Sequence, residues 1–465
     1  MATLYPSSPP APPSTAPATR VAIVGGGASG VLTAVNLLSA AGSEGLSVTI
    51  HEASGIVGRG IAYGTSDPRH LLNVRARHMS AWPDVPSDLL EWAARTGRDL
   101  DPQGFLPRRD YAAYLQDTLA SVADHRLTVR AGRVDDIVPL PEGGYELYSA
   151  GAVSVADAVV LAYGNQEPRD LVVDGDTLPA APWHLPNPWD LAGLHLLPGD
   201  ATAVVVGTGL TAIDTTITFL EKHASRRVVM ASRHGLLPFP HVGQQSTAWV
   251  SPPVETPVTA DALTAFFRTQ VAAAEARGVD WRAVVDGLRP QTQAIWQGMS
   301  LDERRRFLAT HARFWEVRRH RMAPEVAERL EHYQAEGRLV VLSGGIARVV
   351  DRGRRCDVHI GQVGAPVPAD VLVNCTGPSP DITRSSDPLL LALRERGLAA
   401  PDALHLGLAT TADGALLDPD GRVVPGLYAV GPPRKGVLWE STAIPEIRGQ
   451  AAEVARAQLA GLVRR

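Results

Sequence analysis

Two stretches of this chain share one local grammar. VAIVGGGASG, from Val21, and AVVVGTGLTAID, from Ala203, each run from a short apolar segment into closely spaced glycines and on into apolar residues at helical spacing. An apolar run without polar alternation reads as a strand buried on both faces, the kind found in parallel sheets. LSVTIHEA and RRVVMASR follow as second strands, so each stretch opens a strand–turn–helix–strand unit. A chain of 465 residues has room for two such units, each in its own domain with its own core.

The text around these units sets the expected order. RRDYAAYLQDTLASVA reads as a helix, LTVRAGRVDDIVPL and GYELYS as strands, and ADAVVLAYGNQ as a buried strand running into a glycine turn. Between Gly58 and Trp92 the sequence is irregular and dense in Gly, Pro, Arg and His, which in a compact domain marks a functional loop or disorder. From about residue 251 to 337 long helical periodicity takes over, and SLDERRRFLATHARF opens with a capping box, Ser300 and Glu303. RLVVLSGGIARVV, ADVLVNCTG and GLYAVGPP return to strands, and IPEIRGQAAEVARAQLAGLV is a terminal helix. The expectation is an α/β fold with two Rossmann-like dinucleotide-binding domains, the first interrupted by the second, and a helical insertion. The boundaries are a disordered tail at 1–19, a first domain at 20–170, a second at 195–375 with its insertion at about 251–337, and 376–465 completing the first.

Gly25, Gly27 and Gly30 fit GxGxxG, with Ser29 in the first helical turn. The first glycine allows the tight turn, the second lets backbone approach a pyrophosphate, and the third lets the helix pack closely. The helix N-terminus favours the negative charge. Glu52 ends the next strand, where a carboxylate accepts hydrogen bonds from ribose hydroxyls. Gly207, Gly209 and Ala212 fit GxGxxA, with Thr211 beside them, but the following strand ends in Ser232 and Arg233. That pair suits a 2′-phosphate better than a ribose hydroxyl, which favours NADPH, with NADH the alternative. A solvated surface arginine is the bland reading of Arg233. Two dinucleotides on one chain pair a hydride donor with an acceptor, a nicotinamide with a flavin.

Composition narrows the partners. A net charge of −5 and an isoelectric point near 6.3 give no electrostatic case for nucleic acid or an anionic membrane. No apolar run is long enough to cross a bilayer, and MATLYPSSPPAPPSTAPATR lacks the apolar core of a signal peptide. Two cysteines, Cys356 and Cys375, form neither a disulfide framework nor a CxxC pair, which points to a reducing cytoplasm. There is no GxSxG, HExxH or metal-spaced cysteine cluster, so no metal is expected. Nothing in the sequence indicates an oligomeric state.

GRGIAYGTSDPRHLLNVRARHMSAWP, GTGLTAID with SRHGLLP, FWEVRRHRMAPEVAERL, VNCTGPSPDITRS and GVLWESTAIPEIRGQ together resemble a bacterial FAD/NAD(P)-binding family. That family includes FAD-dependent urate hydroxylases and nitrosuccinate-forming aspartate N-monooxygenases, and the likeness spans nearly the whole chain after Arg20. It implies FAD at the first turn and NAD(P)H at the second. It also implies that Asn73, Arg75 and Met79 lie beside the isoalloxazine, that Val134 meets the adenine through its backbone, and that Gly164 and Gly431 pass close to FAD. Two features depart from related flavoproteins. Gly431 is followed by Pro432 rather than an aspartate, and His184 and Trp189 stand one residue too far apart for the His/Trp motif of class B monooxygenases.

The remaining candidates each carry a bland alternative. Arg75, Arg77 and His78 on the irregular stretch are substrate or flavin contacts, or surface charge; Arg75 is the preferred one. Arg318, Arg319, His320 and Arg321 form a solvated basic helix face, or a corner packed at the cleft before Pro324, with His320 and Arg321 the site residues. Trp439 is a wall of the site or ordinary packing. Glu440 binds a substrate amine or imide N–H, or caps the following helix. The resulting expectation is an FAD- and NADPH-dependent monooxygenase that uses molecular oxygen, through a flavin hydroperoxide, to hydroxylate a small polar substrate. Amino-acid N-hydroxylation, as of aspartate, and hydroxylation of a urate-like heterocycle both fit. A reductase or dehydrogenase without oxygen insertion is the alternative, and a non-catalytic flavin-fold binding protein a third.

Overall fold

In a computed structural model, which describes residues 19–40, 45–190, 192–243, 248–361 and 364–463, the first apolar run forms strand Thr19–Val24. Val21 and Ile23 point into one hydrophobic cluster and Ala22 and Val24 into another, so the strand is covered on both faces. It lies inside a six-stranded sheet in the order 415–417, 423–429, 158–161, 19–24, 46–52, 127–131. All neighbours pair in parallel except the antiparallel edge strand Ala415–Leu417. Strand Val423–Ala429 comes from the far end of the chain and pairs with Ala158–Leu161 in the register Leu427–Val159. The terminal helix Ile444–Val463 follows it and packs Ile447, Ala451 and Val454 into the same cluster as helix Ala28–Ser39. The first sheet is therefore built from both ends of the chain.

The second sheet lies between those ends. Its order is 184–185, 371–374, 202–206, 227–232, 339–343, parallel throughout. Here Ala203 and Val205 face the cluster of helices Leu210–Leu220 and Pro324–Ala335, while Val204 and Val206 face strand Cys356–Ile360. The same two-sided burial explains why both apolar runs lack alternation. Full burial of one such aliphatic side chain stabilises the fold by roughly 1.5–3 kcal/mol.

Strands Arg227–Ser232 and Leu339–Ser343 are separated by helices beginning with Ala260–Glu275 and ending with Pro324–Ala335. Ser300 caps helix Leu301–Thr310 by accepting from Glu303 N at 3.3 Å. The reciprocal half of the expected capping box is diverted: Glu303 Oε2 accepts from Ala260 N at 2.8 Å and ties two helices together. The irregular stretch after Gly58 is also shorter than its composition suggests. Helix Asp88–Arg95 begins inside it, because Trp92 and Leu89 find a core to bury in. Most of the tail expected at 1–19 lies outside the described residues, and Thr19 already belongs to the first strand. Among the described residues no helix is long and apolar enough to cross a membrane, and no group of three or more His, Cys, Asp or Glu could hold a metal.

Candidate active site

The first turn is built by close backbone packing. Gly25 has φ +103°, and a Cβ there would stand 2.5 Å from Ala162 O. A Cβ on Gly30 would stand 1.9 Å from Gly25 O, so the helix can close on the turn only at a glycine. Gly27 caps helix Ala28–Ser39 without a side-chain bond, which leaves the first backbone N–H groups for an anion. Glu52 Oε2 accepts from Gly26 N at 2.8 Å and Oε1 from Ser54 N and Oγ at 3.0 and 2.8 Å. Oε2, which accepts one bond, carries a further lone pair with which to meet a ribose hydroxyl. Gly132 N donates to the backbone carbonyl of Glu52 at 3.0 Å, two residues before Val134, the first residue of the next hairpin.

Gly431 brings the last strand onto the same helix start: a Cβ on it would lie 2.4 Å from Ser29 Oγ. Its N–H donates to Gln450 Oε1 at 2.9 Å, which leaves the buried Gln450 Nε2 without a partner. Where an aspartate is absent at Pro432, an unpaired amide thus stands on the terminal helix, and sequence reasoning had no signal for it. Gly164, with φ +74°, has no atom within 4 Å of its Cβ position. The glycine cradle, the free helix end, the acidic strand end and this orphan donor fit a flavin dinucleotide.

The second turn repeats the construction. Gly207 has φ +123°, and its Cβ would meet Cys375 O at 2.1 Å. Gly209 caps helix Leu210–Leu220 with no side-chain bond and nothing within 4 Å of its Cβ position. Ala212 is fully buried in the cluster beneath. Thr211 lines a cavity of about 230 Å³ shared with Gly60, Thr65 and Arg108 of the first unit. Thr208 Oγ1 donates to Leu236 O at 2.7 Å and lies 2.9 Å from Ser232 Oγ. It also accepts from Arg313 Nη2 at 3.0 Å. Burial disfavours the Arg313 charge, Glu316 offsets part of that, and Arg233 adds to it by like-charge repulsion. Two guanidiniums beside Ser232 fit a 2′-phosphate. Arg313 sits on the insertion, far from the turn in sequence, and was not foreseen.

Between the turns, the irregular stretch meets the insertion. Arg75 donates to the carbonyls of Gln103 (2.6 Å), Val242 and Gly243 (3.0 Å), and its guanidinium lies over Phe105. It ties the two segments together with most of its donors. Asn73 offers its carbonyl to His241 Nε2 at 3.1 Å, and burial with nearby Arg321 and Arg75 lowers the His241 pKa to about 3. Met79 turns its side chain into the core, and its carbonyl accepts from Tyr111 Oη at 3.0 Å. Burial first, then Arg77 and Arg289, lower the His78 pKa to about 4.

Arg319 and Arg321 of the basic run are buried, and an ion-pair cluster holds them. Arg319 Nη2 lies 3.4 Å from Glu440 Oε2 and 3.1 Å from Glu446 Oε1, and Arg289 Nη2 lies 2.6 Å from the same Glu446 oxygen. Arg321 pairs with Asp286. Arg319 and Arg321 are each 4% exposed, so the solvated-face reading fails. Burial, then Arg319, lower the His320 pKa to about 3. The cluster is incompletely satisfied: Arg319 Nε, Arg321 Nε and Nη1, Glu440 Oε1 and Ser441 Oγ are buried without partners. Orphans of both signs in one place call for an occupant there, such as water, an ion or a bound molecule.

Trp439 holds Glu440 in this cluster. Its φ of +60° is strained for a tryptophan, by about 1–3 kcal/mol. Stacking on Trp296 at 4.8 Å and an edge contact with Phe307 at 5.4 Å fix it there. Both cysteines are buried, and desolvation raises their thiols to about 12, so neither is a poised redox thiol.

Comparison with known proteins fits this geometry. Residues 22–166 match the model of a FAD-NAD(P)-binding family. No curated protein sequence matches the chain. Among solved structures, the reduced form of ornithine hydroxylase from Pseudomonas aeruginosa is 15% identical, with a TM-score of 0.66 over 96% of this chain and 100% of that one. Ornithine N-hydroxylase from Kutzneria sp. 744, solved with reduced FAD, NADP+ and L-ornithine, is 17% identical, with a TM-score of 0.60 and coverages of 96% and 100%. Thioredoxin reductase from T. acidophilum is 12% identical, with a TM-score of 0.52 and coverages of 95% and 98%. At such identities the likeness is one of fold: this is an α/β chain with the two-dinucleotide-binding-domain architecture of these flavoproteins.

Proposed function

We propose that this protein is a flavin-dependent, NADPH-dependent monooxygenase that hydroxylates a small polar molecule. The observation that carries the reading is the presence of two glycine cradles, on two separate sheets, in a chain that also holds one buried and incompletely satisfied polar cluster. When bound, FAD and NADPH supply hydride transfer and access to molecular oxygen.

This chain's own residues do the binding and orienting. The N–H groups after Gly27 and Gly209 meet pyrophosphates, Glu52 holds a ribose, and Ser232, Arg233 and Arg313 take the 2′-phosphate. Arg321 and Arg319 offer donors, and Glu440 an acceptor, to a substrate that carries both kinds of group. An amino acid such as aspartate and a urate-like heterocycle both meet that description, as the family resemblance suggests. Held neutral by burial and by Arg319, His320 offers an imidazole nitrogen as a hydrogen-bond acceptor rather than as a base. Trp439, Trp296 and Phe307 shield the Glu440 side from water, which strengthens its electrostatics. Arg75 and Asn73 hold the irregular stretch in place.

The test is oxygen incorporation. Purified protein with FAD, NADPH and ¹⁸O₂ should yield an ¹⁸O-labelled product from aspartate or urate, read by mass spectrometry. NADPH oxidation that forms only hydrogen peroxide, at one rate with and without each compound, counts against both substrates and favours a reductase.

A further inference from the structure

The helical insertion encloses a cavity of about 480 Å³ that none of the roles above uses. Leu288, Ile295 and Met299 form its buried floor, and Trp296, Phe307 and Trp439 form an aromatic wall. Its volume lies within the range of small-molecule sites. At the mouth stands Phe314, 45% exposed, a large apolar ring left facing solvent.

The charge of the lining is one-sided. Its ionisable members are Arg268, Arg318 and His311, and no carboxylate lines the cavity. His311 pairs with Asp261, outside the lining. Arg318 donates to Phe314 O at 2.9 Å and lies over Phe239 at 5.3 Å, with no carboxylate partner among the described residues. Arg268 sits at an exposed position of the lining and makes no ion pair among the described residues. A cationic ligand would meet two arginines. A neutral apolar ligand would fill the space without using either.

We propose that this cavity binds a small planar aromatic carboxylate. Its ring packs against Trp296, Phe307 and Trp439, where offset and edge contacts favour another aromatic. Its carboxylate reaches Arg268 at the mouth, with Arg318 adding positive potential, because a guanidinium fork matches a carboxylate. Since Trp439 is both wall of the cavity and the residue before Glu440, an occupant presses on the segment that positions Glu440. The proposal does not depend on the flavin reading.

Calorimetric titration of the full chain, with and without FAD, tests it, using 2-naphthoate as probe and naphthalene-2-methanol as its neutral isostere. Naphthoate is expected to bind one to one, at least about tenfold tighter than the alcohol, as one charge-assisted contact warrants. Arg268→Gln should bring the two within about threefold of each other, since it removes that contact. Thr264→Trp, which fills the cavity, should abolish both, with the flavin spectrum unchanged; if it fails to fold, Arg268→Gln carries the test. No binding of either probe, equal affinities in the wild-type chain, or binding indifferent to both substitutions would overturn the proposal. A colourless protein that still binds naphthoate would fail the flavin reading and leave this one standing.

Discussion

Arg313 Nη2 donates to Thr208 Oγ1 at 3.0 Å, so a helix of the insertion reaches the second position of the second glycine turn. The hydroxyl it meets lies 2.9 Å from Ser232 Oγ, at the end of the next strand. Turn, strand end and insertion thus converge where the 2′-phosphate of a nicotinamide dinucleotide is placed by the proposal. Arg313→Ala and Arg233→Ala should each raise KM for NADPH about tenfold, the loss of one charge-assisted bond, and leave KM for NADH nearly unchanged. Steady-state kinetics with both coenzymes checks this. Equal effects on the two would remove these arginines from phosphate recognition.

The first turn leaves no room for a side chain at its third glycine. Gly30→Ala places a methyl group 1.9 Å from the Gly25 carbonyl, so turn and helix must separate. The expected outcome is a folded protein that purifies with little flavin, read as the ratio of visible to ultraviolet absorbance. Gly209→Ala, which meets nothing within 4 Å, should retain flavin and weaken only the coenzyme.

Arg319 is the common partner of Glu440 and Glu446. Arg319→Met leaves buried Glu440 without its cation and half-buried Glu446 with Arg289 alone, a loss of about 3–5 kcal/mol of stability for a broken buried pair. Denaturant unfolding reads it directly. Glu440→Gln keeps the shape and should cost less stability, with its main effect on substrate KM.

Burial holds His241 and His320 neutral, with pKa values of about 3 in the folded chain. The unfolded chain binds their protons below its ordinary histidine pKa, so this contribution is full above pH 6.5 or so and is lost as pH falls towards the folded values. Each histidine removes about 1.4 kcal/mol of stability per pH unit inside that window. Unfolding free energies at pH 7.5 and 5.5 should therefore differ, and His320→Leu should narrow the gap.

Much of the frame was legible because its causes are local. The positive φ of Gly25 and Gly207 and the packing of Gly30 on the Gly25 carbonyl arise within a few residues, and the apolar runs at Val21 and Ala203 mark strands covered on both faces. What lay hidden acts through space. Arg313 at Thr208, Gln450 at Gly431 and the Arg289–Glu446 pair join segments that no spacing rule connects. Ser300 and Glu303 show the limit of a correct motif: the cap formed, but Glu303 turned to Ala260 N because a neighbouring helix start offered a free N–H. The basic run at Arg318–Arg321 looked like a solvated face by composition, and only the packing of the insertion reveals the carboxylates that pair with Arg319 and Arg321.

The measurement that tests the central claim most directly is anaerobic stopped-flow reduction of the purified protein. The account predicts a yellow protein whose flavin absorbance is bleached by NADPH about tenfold or more faster than by NADH at equal subsaturating concentration, a preference that Arg313→Ala and Arg233→Ala abolish. A colourless protein that takes up no FAD, or a bound flavin that neither coenzyme reduces, would contradict it.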